Sequence, residues 1–249
     1  MNWKIAAGTA CVLTASVAAA FSLRLNPVPA VANVSAPPTA LAVPVLVELF
    51  TSQGCSSCPP ADAVLARLQS QPNVIALSRP VTYWDRLGWP DTLAREANTT
   101  QQRAYAARGV GGGGVYTPEA VVNGRDGLVG SQEGNLRRLI AAARSRPDHA
   151  LVASTDGIAT RGTITGAAEL RFVAVANQRS VRIGGGENGG RTVRYHNVVL
   201  DEASVACTSG ARCTAAIPAR IAATPGKDRV AAILQRPNHG EVLAVRWIA

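Results

Sequence analysis

The chain has 249 residues, of which 47% are hydrophobic and 16% are charged. These values exclude a disordered chain and allow one large domain or two ordinary ones. The formal net charge is +9, but the arginines are dispersed, with no basic run and no interleaving of aromatic and basic residues. This distribution argues against nucleic-acid binding and favours a solvated basic surface.

Residues 1–25 have the pattern of an export signal. A short basic head precedes an uncharged apolar run at residues 5–21, and small residues follow, as in a signal peptide. An uncleaved membrane anchor is the alternative, because the run is only a little shorter than a spanning helix. Residues 26–43 are rich in proline, alanine and valine and are expected to form a linker. We therefore expect a periplasmic or secreted protein, or one attached to a membrane through its N-terminus.

The next segment, residues 44–147, predicts an α/β thioredoxin-like domain. An apolar, β-prone run begins it and is typical of a central strand covered on both faces. After two cysteines, apolar residues recur at helical spacing up to residue 68, and Asp62 in the first turn suits the helix dipole. Further predicted elements, alternating between strands and helices and ending in a hairpin and a helix, are at residues 74–78, 100–108, 119–123, 127–129 and 131–146. This order of strands and helices is that of a thioredoxin fold.

The final segment, residues 150–249, predicts an antiparallel β-sandwich-like domain. Short β-prone runs alternate there with glycine, asparagine, aspartate and proline. The predicted strands are 151–155, 161–165, 170–176, 180–183, 191–200, 203–207, 213–217, 230–235 and 241–248. A domain boundary is expected at residues 147–150.

Cys55 and Cys58 carry the main chemical signal. They form a Cys-x-x-Cys pair between a predicted buried strand and a predicted helix. A helix N-terminus favours the thiolate at the first cysteine, and the two-residue spacer brings the second within bonding distance. Two alternatives stay open, a purely structural disulfide and half of a zinc site completed by cysteine or histidine from the final segment.

Two further features of the first domain bear on this pair. Tyr116, Thr117 and Pro118 precede a predicted strand, where a cis proline would shape a substrate groove beside the cysteines. Glu48 lies seven residues before Cys55 in the apolar first strand. If Glu48 is buried, its pKa should be raised and it could accept the proton of Cys58. The alternative is that its side chain reaches solvent at the strand edge.

Cys207 and Cys213 bracket a turn-forming segment in the final domain. In an exported protein this spacing predicts a structural disulfide between neighbouring strands. The three histidines are isolated from one another in sequence. We expect no metal and no organic cofactor.

The stretch VELFTSQGCSSCPPAD at residues 47–62 resembles the signature of an uncharacterised family of secreted thioredoxin-like proteins, domain of unknown function 1223. Other segments similar to that family are YWD at 83–85, LGW at 87–89, QQRAY at 101–105, YTP at 116–118, GEN at 186–188, GRT at 190–192 and YHNVV at 195–199. The resemblance covers about residues 44–248. It implies a thioredoxin fold joined to a β-rich domain outside the cytoplasm, and it supplies no reaction.

Two functions follow as hypotheses. In the first, the chain is a thiol–disulfide oxidoreductase: Cys55 attacks a disulfide of a protein or small molecule, Cys58 resolves the mixed disulfide, and an unidentified redox partner resets the pair. In the second, the chain is a non-catalytic envelope binding protein with a static disulfide. The glycine-rich loop at residues 184–191 would then belong to a recognition surface.

Overall fold

The computed structural model describes residues 44–143, 149–155 and 157–248. The predicted signal segment and linker, residues 1–25 and 26–43, lie outside the described residues. Among the helices in the described ranges, none is long and apolar enough to span a membrane.

The first half of the chain alternates between strands and helices, close to the predicted order. Its elements are β1 (Val45–Thr51), α1 (Cys58–Leu68), β2 (Val74–Pro80), α2 (Glu96–Ala107), β3 (Glu119–Val122), β4 (Asp126–Val129) and α3 (Glu133–Ala143). Short 3-10 helices lie at Asp85–Leu87 and Val110–Gly112.

The first strand is buried along its whole length because both of its faces are covered. Val45, Val47 and Leu49 pack against the apolar faces of α1 and α3. Leu46, on the opposite face, packs against residues from the second half of the chain. The predicted central strand is confirmed, and it places the turn that follows it at the edge of a rigid sheet.

The second half is dominated by strands. Its elements are β5 (Leu151–Ser154), β6 (Gly157–Thr163), β7 (Ala168–Arg182), β8 (Thr192–Cys207), β9 (Arg212–Ala215), α4 (Ala219–Ala222), β10 (Arg229–Gln235) and β11 (Val242–Ile248). Four of the predicted short strands merge into the two long strands β7 and β8, which pair as an antiparallel hairpin with a register shift at Ala174/Val175.

The expectation of a separate sandwich in the second half is corrected by the sheet topology. One eight-stranded sheet has the order β11-β10-β7-β8-β2-β1-β3-β4 and so draws strands from both halves of the chain. The two halves meet where Ser78 of β2 pairs in parallel with Val198 of β8. Alternation within a strand reports which faces are buried but not which strand lies alongside, so the sequence pattern could not show this join.

A second, three-stranded sheet has the order β5-β6-β9. Its residue Ile158 packs with Phe172 of the large sheet, in a core that also contains Cys207 and Cys213. Two sheets therefore do pack against each other in the second half, as expected, but one of them is the small sheet and the other is part of the eight-stranded sheet. The domain boundary expected at residues 147–150 stays a prediction.

Candidate functional site

Cys55 and Cys58 form a disulfide in the turn between β1 and α1. Their Cα atoms are 5.4 Å apart, and the backbone N–H of Cys58 donates to the carbonyl of Cys55 at 3.1 Å. Pro59 and Pro60 occupy the first turn of α1, where backbone N–H groups need no helical acceptor. Both cysteines have 0% of their surface exposed. The pair thus lies at the N-terminal end of a helix, as predicted, but under a cover of other residues.

The predicted groove residues lie at the same edge of the sheet. The Thr117–Pro118 peptide bond is cis. Phe50 of β1 pairs with Glu119 of β3 in antiparallel register, so Pro118 lies beside the end of β1, where the cysteine turn begins. The groove role of Tyr116, Thr117 and Pro118 stays a prediction.

The segment between β2 and α2 covers one side of the cysteine turn. The indole N–H of Trp84 donates to Thr117 Oγ1 at 2.8 Å, and the indole N–H of Trp89 donates to Gln53 Oε1 at 2.8 Å. Asp91 Oδ2 accepts the backbone N–H of Gln53 at 2.8 Å. The motifs at 83–85 and 87–89 marked this segment in the sequence, but Asp91 itself was not predicted.

The turn between β7 and β8, residues 183–191, also covers the cysteine turn, next to Trp89. Glu187 Oε2 accepts the backbone N–H of Ser56 at 2.8 Å. The side-chain amide of Asn188 donates to the carbonyls of Gln53 at 3.0 Å and Cys55 at 2.7 Å. These contacts join residues more than 130 positions apart. The sequence singled out this turn as a motif but did not place it at the cysteines.

Glu48 is buried but belongs to a different region of the sheet. Its carboxylate accepts from Arg79 Nε at 2.7 Å, from Gln101 Nε2 at 2.8 Å and from the Tyr105 hydroxyl at 2.5 Å. Burial alone would raise the pKa of Glu48, but the charges of Arg79 and Arg171, together with the hydrogen bonds from Tyr105 and Gln101, outweigh it and the pKa is lowered. The raised pKa expected for Glu48 is therefore wrong, because the sequence did not reveal the buried arginines. The alternative of a solvent-exposed side chain is also wrong, since Glu48 is fully buried.

We call Glu48, Arg79, Arg171 and Glu202 the central charge cluster. Arg79 and Arg171 both donate to Glu202 Oε2, at 3.0 and 2.7 Å. Glu48 and Arg79 come from β1 and β2, whereas Arg171 and Glu202 come from β7 and β8. The cluster therefore ties together the two halves of the large sheet.

Asp62 is the buried carboxyl group that lies one helical turn after Cys58. Positions four apart share one face of a helix, and Asp62 has 5% of its surface exposed. Neither carboxyl oxygen has a hydrogen-bond partner among the described residues. Burial is the main cause that raises the pKa of Asp62 to about 7; the Thr51 hydroxyl opposes this shift, and the negative charge of Asp91 adds to it. The property predicted for Glu48 thus belongs to Asp62.

Glu119 is a second buried carboxyl group without a cation beside it, directly after Pro118. Its Oε2 accepts the side-chain amide of Gln102 at 2.8 Å, while Oε1 has no hydrogen-bond partner in the described ranges. Burial raises the pKa of Glu119 to about 7. Asp62 and Glu119 are therefore two buried carboxyl groups with pKa values of about 7, one on the helix that begins at Cys58 and one directly after Pro118.

Cys207 and Cys213 form the second disulfide, with Cα atoms 5.3 Å apart. It links the end of β8 to β9, as the turn between the two cysteines predicted. Within the described ranges, no group of three or more histidine, cysteine, aspartate or glutamate side chains is arranged to hold a metal ion.

The model of the family described as "Protein of unknown function (DUF1223)" matches residues 46–235. The chain belongs to this family. The family resemblance of residues 47–62 is thereby confirmed. No curated protein matches this DUF1223 chain.

Two solved structures are similar to this DUF1223 chain. A crystal structure of a protein from Agrobacterium tumefaciens is 30% identical with a TM-score of 0.70, and the match covers 83% of this chain and 94% of that one. HBP35 of Porphyromonas gingivalis is 12% identical with a TM-score of 0.46, and the match covers 83% of this chain and 75% of that one.

Proposed function

We propose that this protein is an exported thiol–disulfide oxidoreductase whose redox-active pair is Cys55–Cys58. The observation that carries the proposal is the position of the disulfide at the N-terminal end of α1, in the turn after a central buried strand. A helix N-terminus stabilises a thiolate and so favours exchange at the first cysteine of such a pair. Periplasmic or secreted localisation, proposed from residues 1–25, would allow the disulfide to persist.

A thioredoxin-like core is part of the proposal. Its support is the pairing within the large sheet, where β1 is parallel to β2 and β3 is antiparallel to both β1 and β4. Helices α1, α2 and α3 follow β1, β2 and β4 in the order expected for that fold. The second support is Pro118, which lies beside the end of β1.

The exchange transfers two electrons through a mixed disulfide. A substrate thiolate attacks Cys55 Sγ, the Cys55–Cys58 bond breaks, and Cys58 leaves as a thiolate that takes up a proton. A second substrate thiolate then attacks the substrate sulfur of the mixed disulfide and expels the thiolate of Cys55. The substrate becomes a disulfide and the pair becomes a dithiol. The reverse sequence reduces a substrate disulfide, and a second thiol or disulfide partner resets the pair.

Asp62 is the residue that we assign to proton transfer with Cys58. A carboxyl group with a pKa of about 7 is partly protonated at neutral pH and can both donate and accept a proton. Its place one turn after Cys58 on the same helix supports the assignment. Glu48 is unsuited to this role because Arg79 holds its carboxylate in the charged form.

A second candidate function is favoured by one observation. Both cysteines are fully buried, as in a structural disulfide that no substrate reaches. In that case the chain is a binding protein of the cell envelope, and the cover formed by residues 82–93 and 183–191 is part of a static surface.

Trapping of the mixed disulfide separates the two candidates. In the reduced Cys58→Ser variant, Cys55 should react with glutathione disulfide and retain one glutathione, located by peptide mass mapping. The matched Cys55→Ser variant should react at least about tenfold more slowly, because Cys58 is the resolving thiol. If neither variant reacts unless it is unfolded, the disulfide is static and the binding protein is the better account.

A further inference from the structure

The turn between β7 and β8 brings residues of the second half of the chain directly onto the cysteine pair. Gly186 lies against the cysteine turn so closely that a Cβ on it would be 3.4 Å from Gly54 Cα. Glu187 and Asn188 follow it and both bond the backbone of that turn. The proposed exchange mechanism does not use these two residues, although their side chains bond the backbone of Gln53, Cys55 and Ser56.

Asn188 fixes the shape of the cysteine turn. Its side-chain amide donates to the carbonyls of Gln53 and Cys55, and its own oxygen accepts from Arg191 at 2.9 Å. The residue is 1% exposed, so removing its amide would leave two carbonyls without these donors. Asn188 therefore holds the backbone of Cys55 in one position relative to the second half of the chain.

Glu187 acts on the charge at the same place. Its exposed carboxylate accepts the backbone N–H of Ser56, the residue directly after Cys55. That bond lowers the pKa of Glu187 and keeps it charged. N–H groups at this end of a helix are the ones that stabilise a thiolate. A carboxylate that occupies one of them and adds a negative charge has the opposite effect.

We propose that Glu187 and Asn188 are positioning residues of the Cys55–Cys58 pair: Glu187 holds its reduction potential low, and Asn188 slows its reduction by holding the turn over Cys55. This inference rests on the proposed oxidoreductase function. The charged or titratable groups around the cysteine turn include Asp62 on α1, Asp91 before α2, Arg191 in the same turn as Glu187, and Tyr195, which interacts with all three. Whatever stabilises the Cys55 thiolate stabilises the reduced form, so removing the Glu187 charge shifts the pair toward the dithiol.

The test compares the full-length protein with Glu187→Gln, which keeps an oxygen able to accept the Ser56 N–H. The reduction potential is measured by thiol trapping in graded glutathione buffers, where two glutathione thiols become one glutathione disulfide as the Cys55–Cys58 bond is reduced. We expect the equilibrium constant for reduction to rise about threefold, since an exposed charge is partly screened. A threefold change corresponds to about 14 mV. The pKa of Cys55, read from the pH dependence of its alkylation, should fall.

Three further variants make the outcome specific. Asp126→Asn removes one negative charge from an exposed residue of β4 and should leave the potential unchanged. Glu187→Asp keeps the charge and should shift the potential less than Glu187→Gln. In Asn188→Ala, reduction by dithiothreitol should become faster than in the wild type, because the turn is no longer held over Cys55.

The possible failures are distinguishable. If the wild-type pair resists reduction below about −300 mV, the proposed function fails. If the wild-type potential lies in the exchange range but Glu187→Gln leaves it unchanged or lowers it, only the role of Glu187 is overturned. Equal dithiothreitol reduction rates for Asn188→Ala and the wild type would overturn the role of Asn188.

Discussion

Buried carboxyl groups in the described part of the chain occur in two environments, which shift their pKa values in opposite directions. In the central charge cluster, Glu48 and Glu202 each accept from a buried guanidinium group. By contrast, Asp62 on α1 and Glu119 on β3 are buried without an ion-pair partner among the described residues, and their pKa values are raised to about 7. We interpret the difference as two tasks, of which proton transfer is part of the proposed function. Paired charges hold strands together, whereas unpaired carboxyl groups keep an exchangeable proton near neutral pH.

The central charge cluster should matter most for stability. Replacing Arg79 by methionine leaves Glu48 and Glu202 buried with too few donors, and breaking a buried pair in this way costs about 3–5 kcal/mol of the free energy of unfolding. Urea unfolding at neutral pH measures the loss.

The matched control is Arg67→Met, which breaks an ion pair to Glu133 in which the Arg67 side chain is 53% exposed. Its expected cost is less than about 1 kcal/mol. If Arg79→Met is no more destabilising than Arg67→Met, the cluster does not join the two halves of the sheet as we describe.

The unpaired carboxyl of Asp62 should make stability fall as the pH rises. Its pKa is about 7 in the folded protein and 3.8 in the reference state, so between these values the folded state holds a proton that the unfolded state has released. This contribution is fully present below the unfolded pKa and is lost as the pH rises through the folded pKa. Between pH 5 and pH 8 the loss should be about 3 kcal/mol.

Asp62→Asn removes this titration. We expect urea midpoints of the variant to change less between pH 5 and pH 8 than those of the wild type, with most of the difference arising between pH 5 and pH 7. Parallel pH profiles for the two proteins would show that Asp62 is charged in the folded state, and would remove it as the proton carrier for Cys58.

The second disulfide should affect stability without affecting redox behaviour. Replacing Cys207 and Cys213 together by serine opens a short loop, for which the chain-entropy account gives a loss of about 2 kcal/mol. The glutathione equilibrium of Cys55–Cys58 should stay the same. A shifted equilibrium in the double variant would mean that the two disulfides are coupled.

Much of the first half of the fold could be predicted from sequence, because the spacing of its hydrophobic residues indicates the buried strands and the apolar helix faces. Helix α2 is an instructive exception, since it starts at Glu96 instead of the predicted residue 100. Its buried face carries polar residues such as Asn98 and Gln101, which bond other buried polar groups. The spacing of hydrophobic residues cannot reveal where such a helix begins, because its buried face is polar.

The candidate site was predictable only in part. The cysteine pair and Pro118 follow from local motifs, but Glu187 and Asn188 reach the site from more than 130 positions away. Asp62 looks in the sequence like a first-turn carboxylate suited to the helix dipole. Its burial becomes visible only when the sheet and the cysteine turn are assembled around it.

The reduction potential of the Cys55–Cys58 pair tests the central claim most directly. It can be measured on the wild-type protein by thiol trapping in graded glutathione buffers, with Cys55→Ser to identify the signal of this pair. An oxidoreductase should show a potential between about −270 and −120 mV, the range of known exchange proteins. A pair that stays oxidised below about −300 mV would contradict the account and identify a structural disulfide.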